Sequence, residues 1–148
     1  MHLQSDYEYL KKEAMWVIID PFINPKNDEK LNYYDLAFLD RLSRDIEGIK
    51  NLVVFSEVNN IPIHHSFEYL PRYRTITQLV LDSGLIKNYV FCGLHYGMCV
   101  HKWIKECKQR VDIDNNFFVK RDLSCLMPFD DIKQHDLNLT RGLDVRLI

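Results

Sequence analysis

Two residues in this chain pair reactive chemistry with a setting that could use it. Cys99 lies within residues 89–110, YVFCGLHYGMCVHKWIKECKQR. That stretch opens on an apolar run of β-formers, residues 89–92, and passes through Gly93 and Gly97. From Met98 the period changes, and Val100, Trp103, Ile104 and Cys107 fall at i, i+3, i+4 and i+7, one face of a helix. Cys99 therefore stands where a helix begins, among free N–H groups and at the positive end of the helix dipole. Both favour the thiolate, which is the nucleophile. The same N–H groups can hold an oxyanion that forms on a substrate carbonyl. The competing account is a small buried hydrophobe, because cysteine is among the most buried residue types.

Asp20 is the second candidate. Residues 15–19, Met-Trp-Val-Ile-Ile, are apolar without alternation, as in a central strand covered on both faces. Asp20 follows directly, at the carboxyl end, where open α/β sheets bind ligands. Its competing role is to cap a turn before Pro21. A third group, residues 63–74, gathers His64, His65, Glu68, Arg72 and Arg74 among Phe67, Tyr69 and Tyr73 in an irregular segment. For the paired histidines the plain alternative is a surface loop or a packed stack.

The elements that must hold these groups alternate in type. Residues 1–13 read as a polar lead-in or a first turn of helix. A loop rich in Pro and Asn spans residues 22–30, and a helix is expected over residues 32–50, with Tyr34, Phe38, Leu42, Ile46 and Ile49 on its apolar face. Residues 51–58 contain a second buried strand. A helix over 75–85 ends near Gly84. After the Cys99 helix, residues 116–120 give a fourth strand, 122–128 a loop or short helix with Cys125, 130–139 a short helix, and 144–148 a terminal strand. Strands alternating with helices predict an α/β fold, a mainly parallel sheet covered by helices on both faces.

The order and spacing of these elements resemble the isochorismatase-like cysteine hydrolase superfamily, which includes nicotinamidases. Val17, Ile18, Ile19 and Asp20 match its first element. Phe91, Cys92 and Gly93, followed by Cys99 and Val100, match its second. The resemblance covers residues 14 to 122 and is weakest in the middle. It implies a Rossmann-like three-layer sandwich and a Cys–Asp–Lys triad, with Cys99 as nucleophile and Asp20 as the acid–base residue. It also implies an oxyanion hole from the backbone N–H groups of His95 and Cys99. The chain departs from the family at the lysine, since none occurs between Lys50 and Lys87. Counting back from the Gly93 strand lands near His65, so His65 is the expected replacement, with His64, Arg72 and Arg74 as the other cations in reach. A histidine keeps an acid–base role near neutral pH, whereas an arginine keeps only the charge. The family's metal-binding Asp-x-His is missing from SEVNNIPIHH, residues 56–65, so neither a metal nor another cofactor is expected. Phe22, His64 and Tyr96 are the candidates for a substrate pocket, with core packing as the competing account of the aromatics.

Composition narrows the remaining classes. At 148 residues the chain reads as one domain, residues 1–148. A net charge of −2 gives no strong field for nucleic acid or an anionic membrane. No apolar run approaches a transmembrane span and no apolar leader opens the chain. Four cysteines without a CxxC pair argue against a zinc ribbon or a dithiol, and fit free thiols in a reducing cytoplasmic setting. No Gly-rich nucleotide loop follows either buried strand. Two readings remain. One is a cysteine hydrolase that cleaves the C–N bond of a small amide through a thioester. The other is a catalytically silent relative that binds ligands or proteins. The resemblance adds a homo-oligomer to either.

Overall fold

The computed structural model describes residues 3–22, 29–57, 62–94, 96, 99–111, 114–125 and 131–148. Among them six strands form one sheet in the order β3-β2-β1-β4-β5-β6, with every adjacent pair parallel. The strands are β1 (Ala14–Ile19), β2 (Asn51–Phe55), β3 (Arg72–Tyr73), β4 (Asn88–Leu94), β5 (Asn116–Cys125) and β6 (Arg146–Leu147). The helices are α1 (Leu3–Glu13), α2 (Glu29–Asp45), α3 (Ile76–Ser83), α4 (Cys99–Lys108) and α5 (Ile132–Leu137). The expected α/β class, with helices on both faces, is what the chain forms.

The two-sided cover follows from the pleat. Successive side chains of a strand point to opposite faces, and every residue of β1 is buried. Met15, Val17 and Ile19 join a core with Ile76, Leu79, Val100, Ile104 and Cys107, from α3 and α4. Ala14, Trp16 and Ile18 join a second core with Leu10, Leu39 and Leu42, from α1 and α2, and with Ile46 just beyond α2. Continuous apolar runs are thus required at β1 and β4, because both faces of these central strands lie in apolar layers.

Several expectations shift. The lead-in is a full helix, α1, fixed where the Trp16 indole N–H donates to the Leu10 carbonyl over 2.9 Å. The helix over 75–85 forms as α3, with the Thr75 hydroxyl accepting from the Gln78 N–H at 3.2 Å as N-cap and Gly84 at the C-cap. Residues 122–125, expected in a loop, instead continue β5. Phe91 pairs with Val119 but Gly93 with Ser124, so β5 bulges and places more residues than β4 across the same span. The bulge leaves Arg121 and Asp122 exposed while Leu123 stays buried. β3, absent from the sequence reading, is two residues long and exists through its pairing with Val54 and Phe55.

Candidate active site

Asp20 and Cys99 meet at the carboxyl end of the central strands. The chain leaves β1 through Asp20, whose N–H still donates to the Phe55 carbonyl at 3.0 Å. Its φ of 46° is in the left-handed region, which aspartate tolerates better than bulkier residues and which clusters at functional sites. The Phe22 N–H then donates to the Asp20 carbonyl at 2.7 Å and closes the turn. β4 runs beside β1 and brings Gly93 opposite Ile19. Gly93 has φ 112°, and a Cβ there would fall 2.7 Å from the Ile19 amide nitrogen and closer still to its carbonyl oxygen. Only glycine lets the two backbones approach this closely. α4 then starts at Cys99, with Val100, Ile104 and Cys107 sunk in the core.

The Asp20 carboxylate accepts hydrogen bonds from the Cys99 thiol and the Ser56 hydroxyl. Ser56 is fully buried just past β2, and its hydroxyl oxygen accepts from Arg72 Nη2 at 3.3 Å. The hydroxyl has one proton to give and lone pairs to spare, so it links guanidinium to carboxylate. Arg72 reaches this place on β3, which is pinned to β2 by Val54 N–H to the Pro71 carbonyl and Ser56 N–H to the Tyr73 carbonyl, each 2.9 Å. Four side chains from four elements thus form a line: Arg72, Ser56, Asp20, Cys99.

The electrostatics differ from the expected thiolate. Burial, then the neighbouring Asp20 carboxylate, push the Cys99 thiol up to about 11, and Lys102 offsets only part of this. The resting sulfur is therefore protonated. Burial likewise raises the Asp20 carboxyl above its ordinary value, while the bonds from Cys99 and Ser56 and the charge of Arg72 hold it back. A carboxylate drawn partly out of water beside the thiol is placed to take its proton as the sulfur forms a new bond. Cys92 and Cys107 are pushed to about 12 by burial, inside the two cores. Cys99 is half-exposed.

Other sequence candidates fall elsewhere. His65, expected in place of the lysine, is exposed on a 3₁₀ turn (His65–Phe67) and stacks on His64 at 4.3 Å. Arg72 is the cation that acts on Asp20, because β3 carries it back to the carboxyl end of β2. His64, expected in the substrate pocket, is 1% exposed, and both ring nitrogens are used. Nδ1 accepts from the Ser66 N–H at 3.2 Å, so Nε2 carries the proton and donates to Asp40 at 2.9 Å. Its backbone N–H donates to the Pro21 carbonyl at 2.9 Å, and Phe22 bridges Ile63, so this segment clamps the chain just after Asp20. Phe22 packs against the α1–α2 core. Tyr96, the third pocket candidate, is buried in the α3–α4 core, with its hydroxyl donating to Asp136 at 2.5 Å. His95 lies outside the described residues. Among the described residues no three His, Cys, Asp or Glu side chains are grouped to hold a metal ion, and no helix is long and apolar enough to cross a membrane.

The contribution of Ser56 was not readable from residue type, and Arg72 was one of four candidate cations, His64, His65, Arg72 and Arg74, among which the sequence did not decide. A buried serine directly after an apolar strand was the available signal for the first. The second depends on a strand two residues long.

A six-stranded parallel sheet covered by helices on both faces is a class of fold that known structures share. No protein-family model and no curated protein matches the sequence. N-carbamoylsarcosine amidase from Thermoplasma acidophilum superposes with a TM-score of 0.65 at 10% identity, over 91% of this chain and 95% of that one. Nicotinamidase PncA from Bacillus subtilis gives 0.62 at 10%, over 91% and 98%. The YcaC gene product of Escherichia coli, an octameric hydrolase of unknown specificity, gives 0.58 at 16%, over 93% and 76%. The fold is that of the isochorismatase-like hydrolases.

Proposed function

We propose that this chain is a cysteine-dependent hydrolase that cleaves the C–N bond of a small amide. The observation that carries the reading is the hydrogen bond between the Cys99 thiol and the desolvated Asp20 carboxylate. As the sulfur adds to the substrate carbonyl, its proton passes to Asp20. The backbone N–H of Cys99, at the start of α4, faces the developing oxyanion, with the N–H of His95 as the second donor that the resemblance implies. The C–N bond breaks, the leaving amine takes the proton from Asp20, and a thioester remains on Cys99. Asp20 then accepts a proton from water, which attacks the thioester, and the acid and the free thiol are released. Arg72 is always charged, so it supports the Asp20 carboxylate through Ser56 without exchanging a proton. The amide-cleaving neighbours fit this reading, the octameric neighbour fits a homo-oligomer, and free Cys92, Cys99 and Cys107 fit a cytoplasmic setting.

A second reading, a catalytically silent binding module, is favoured by the missing family lysine, none occurring between Lys50 and Lys87, and by the thiol at about 11. One experiment separates them. Cys99 is labelled with iodoacetamide across pH, and ammonia release is measured on a panel of small amides, for the wild type and Asp20→Asn. The hydrolase reading expects turnover by the wild type. In Asp20→Asn the Cys99 midpoint drops below about 11, since the neighbouring charge is gone, yet turnover is lost by at least about 100-fold. Failure of the wild type to turn over any amide on the panel would leave the binding module.

A further inference from the structure

Ser56 follows directly on β2 and is fully buried. Its backbone is tied on both sides. The Ser56 N–H donates to the Tyr73 carbonyl of β3 at 2.9 Å, and the carbonyl just before it, that of Phe55, accepts from the Asp20 N–H at 3.0 Å. The place of the side chain is thus set without help from its hydroxyl. After the buried Val53, Val54 and Phe55, packing alone asks only for a small residue such as alanine. A hydroxyl stands there instead, where a polar group costs stability unless it is bonded. It is bonded on two sides. It accepts from Arg72 Nη2 at 3.3 Å and bonds the Asp20 carboxyl as well. A hydroxyl has one proton and two lone pairs, whereas a guanidinium only donates. Arg72 therefore takes up the acceptor side, and the one proton of Ser56 goes to Asp20.

From this geometry we infer that Ser56 is a positioning residue: its hydroxyl, turned by the Arg72 guanidinium, holds the Asp20 carboxylate against Cys99 and carries the influence of Arg72 to it. The inference rests on the hydrolase reading and gives that reaction a polar group that touches no reacting atom. Asp20 can take the thiol proton only while it is ionised, and burial works against that ionisation. The groups that face it are the Cys99 thiol on α4, Ser56 and Glu57 after β2, and Arg72 on β3. Cys99 and Ser56, through hydrogen bonds, and Arg72, through its charge, hold the carboxyl down, while Glu57 pushes it up. Glu57 is itself offset by Lys102 at 3.8 Å. The bond from Cys99 ends when its proton moves, so Ser56 is the hydrogen-bond donor that stays on Asp20 through the reaction.

The titration of Asp20 is read on the whole chain by carbon NMR, with the aspartate carboxyl carbons isotope-labelled and the Asp20 signal assigned by its loss in Asp20→Asn. Ser56→Ala is expected to move that titration to higher pH. Ammonia release from a small amide, at a pH on the acid limb of the wild type, should fall roughly 10- to 100-fold, the worth of one hydrogen bond to a charged group. The loss should be smaller where Asp20 is ionised in both proteins. Ser56→Thr, which keeps the hydroxyl, should return both readouts toward the wild type. Arg72→Gln should also move the titration up, but by less than about half as much in the Ser56→Ala background, because the route through the hydroxyl is gone. An Asp20 titration unmoved in Ser56→Ala overturns the inference, even with a lowered melting temperature, which marks packing alone. Equal shifts from Arg72→Gln in both backgrounds overturn it too, since the guanidinium then acts across space. A wild type that turns over no amide, with the Ser56→Ala shift present, defeats the hydrolase reading and leaves the serine's hold on the carboxylate standing.

Discussion

The two ends of the same central strands are built to opposite rules. At their amino ends lie the open grooves of about 610 and 650 Å³, lined by residues such as Met15, Asn51, Asn88 and Asn116. Their polar groups satisfy one another: the Asn116 amide donates to Asn88 at 3.1 Å, and Lys87 pairs with Asp114 at 3.2 Å in solvent. At the carboxyl ends the polar groups are drawn out of water and set against each other. Asp20 takes a left-handed φ, Gly93 presses on Ile19, and a protonated thiol faces a carboxylate. The comparison teaches that desolvated charge and backbone strain set the carboxyl end apart from the amino end.

The contrast can be broken most severely at Gly93. Gly93→Ala forces a Cβ into the Ile19 backbone and an L-residue into φ 112°, so a loss of about 3 kcal/mol or more is expected in thermal or denaturant unfolding. An alanine at Gly84, with no atom within 4 Å of its Cβ, serves as the reference for positive φ alone.

A smaller effect sharpens the comparison by removing the charge. The folded state raises the Asp20 carboxyl above its unfolded value near 3.8, so it favours the protonated acid. The stabilising bias is complete below about pH 3.8 and is lost as pH rises through the raised folded value. At pH 7 the wild type therefore carries a desolvated charge that Asp20→Asn lacks, and asparagine also tolerates the left-handed backbone. Asp20→Asn should melt higher at pH 7, by about 2–4 °C for each kcal/mol relieved, with the gap closing below about pH 4. Equal melting at both pH values would mean that the carboxylate costs the fold nothing.

The smallest expected change is at the rim. Lys102 lowers the Cys99 thiol from 60% exposed surface, while pairing with Glu57 at 3.8 Å and lying over the Trp103 ring at 4.5 Å. Lys102→Gln should raise the Cys99 alkylation midpoint slightly, slow labelling by under about threefold near pH 8, and lose that effect in high salt.

What could be read from the sequence followed the same divide. β1, β4 and α4 were legible because burial on both faces, or on one helical stripe, leaves a periodic mark. Asp20 and Cys99 were legible because each sits where such a mark stops. Arg72 was legible only as one of four candidate cations, since its place is set by two backbone hydrogen bonds to β2 rather than by its neighbours in sequence. His64 and His65 drew attention by type, yet one holds a turn and the other stacks on it. The strand at 121–125 was hidden because its bulge lets charged residues face solvent within a strand. The thiolate was misjudged because burial and the nearby carboxylate outweigh what a helix terminus offers.

The brevity of β3 has an evolutionary consequence. Residues 57–71 run from the end of β2 to the start of a strand that docks by the Pro71 and Tyr73 carbonyls. Within it His64 is tied to Pro21, and Ile63 and Phe67 are sunk in the α1–α2 core. Descendants of this chain can therefore change the excursion only where those anchors and the docking point survive, if the cation is to be inherited in place.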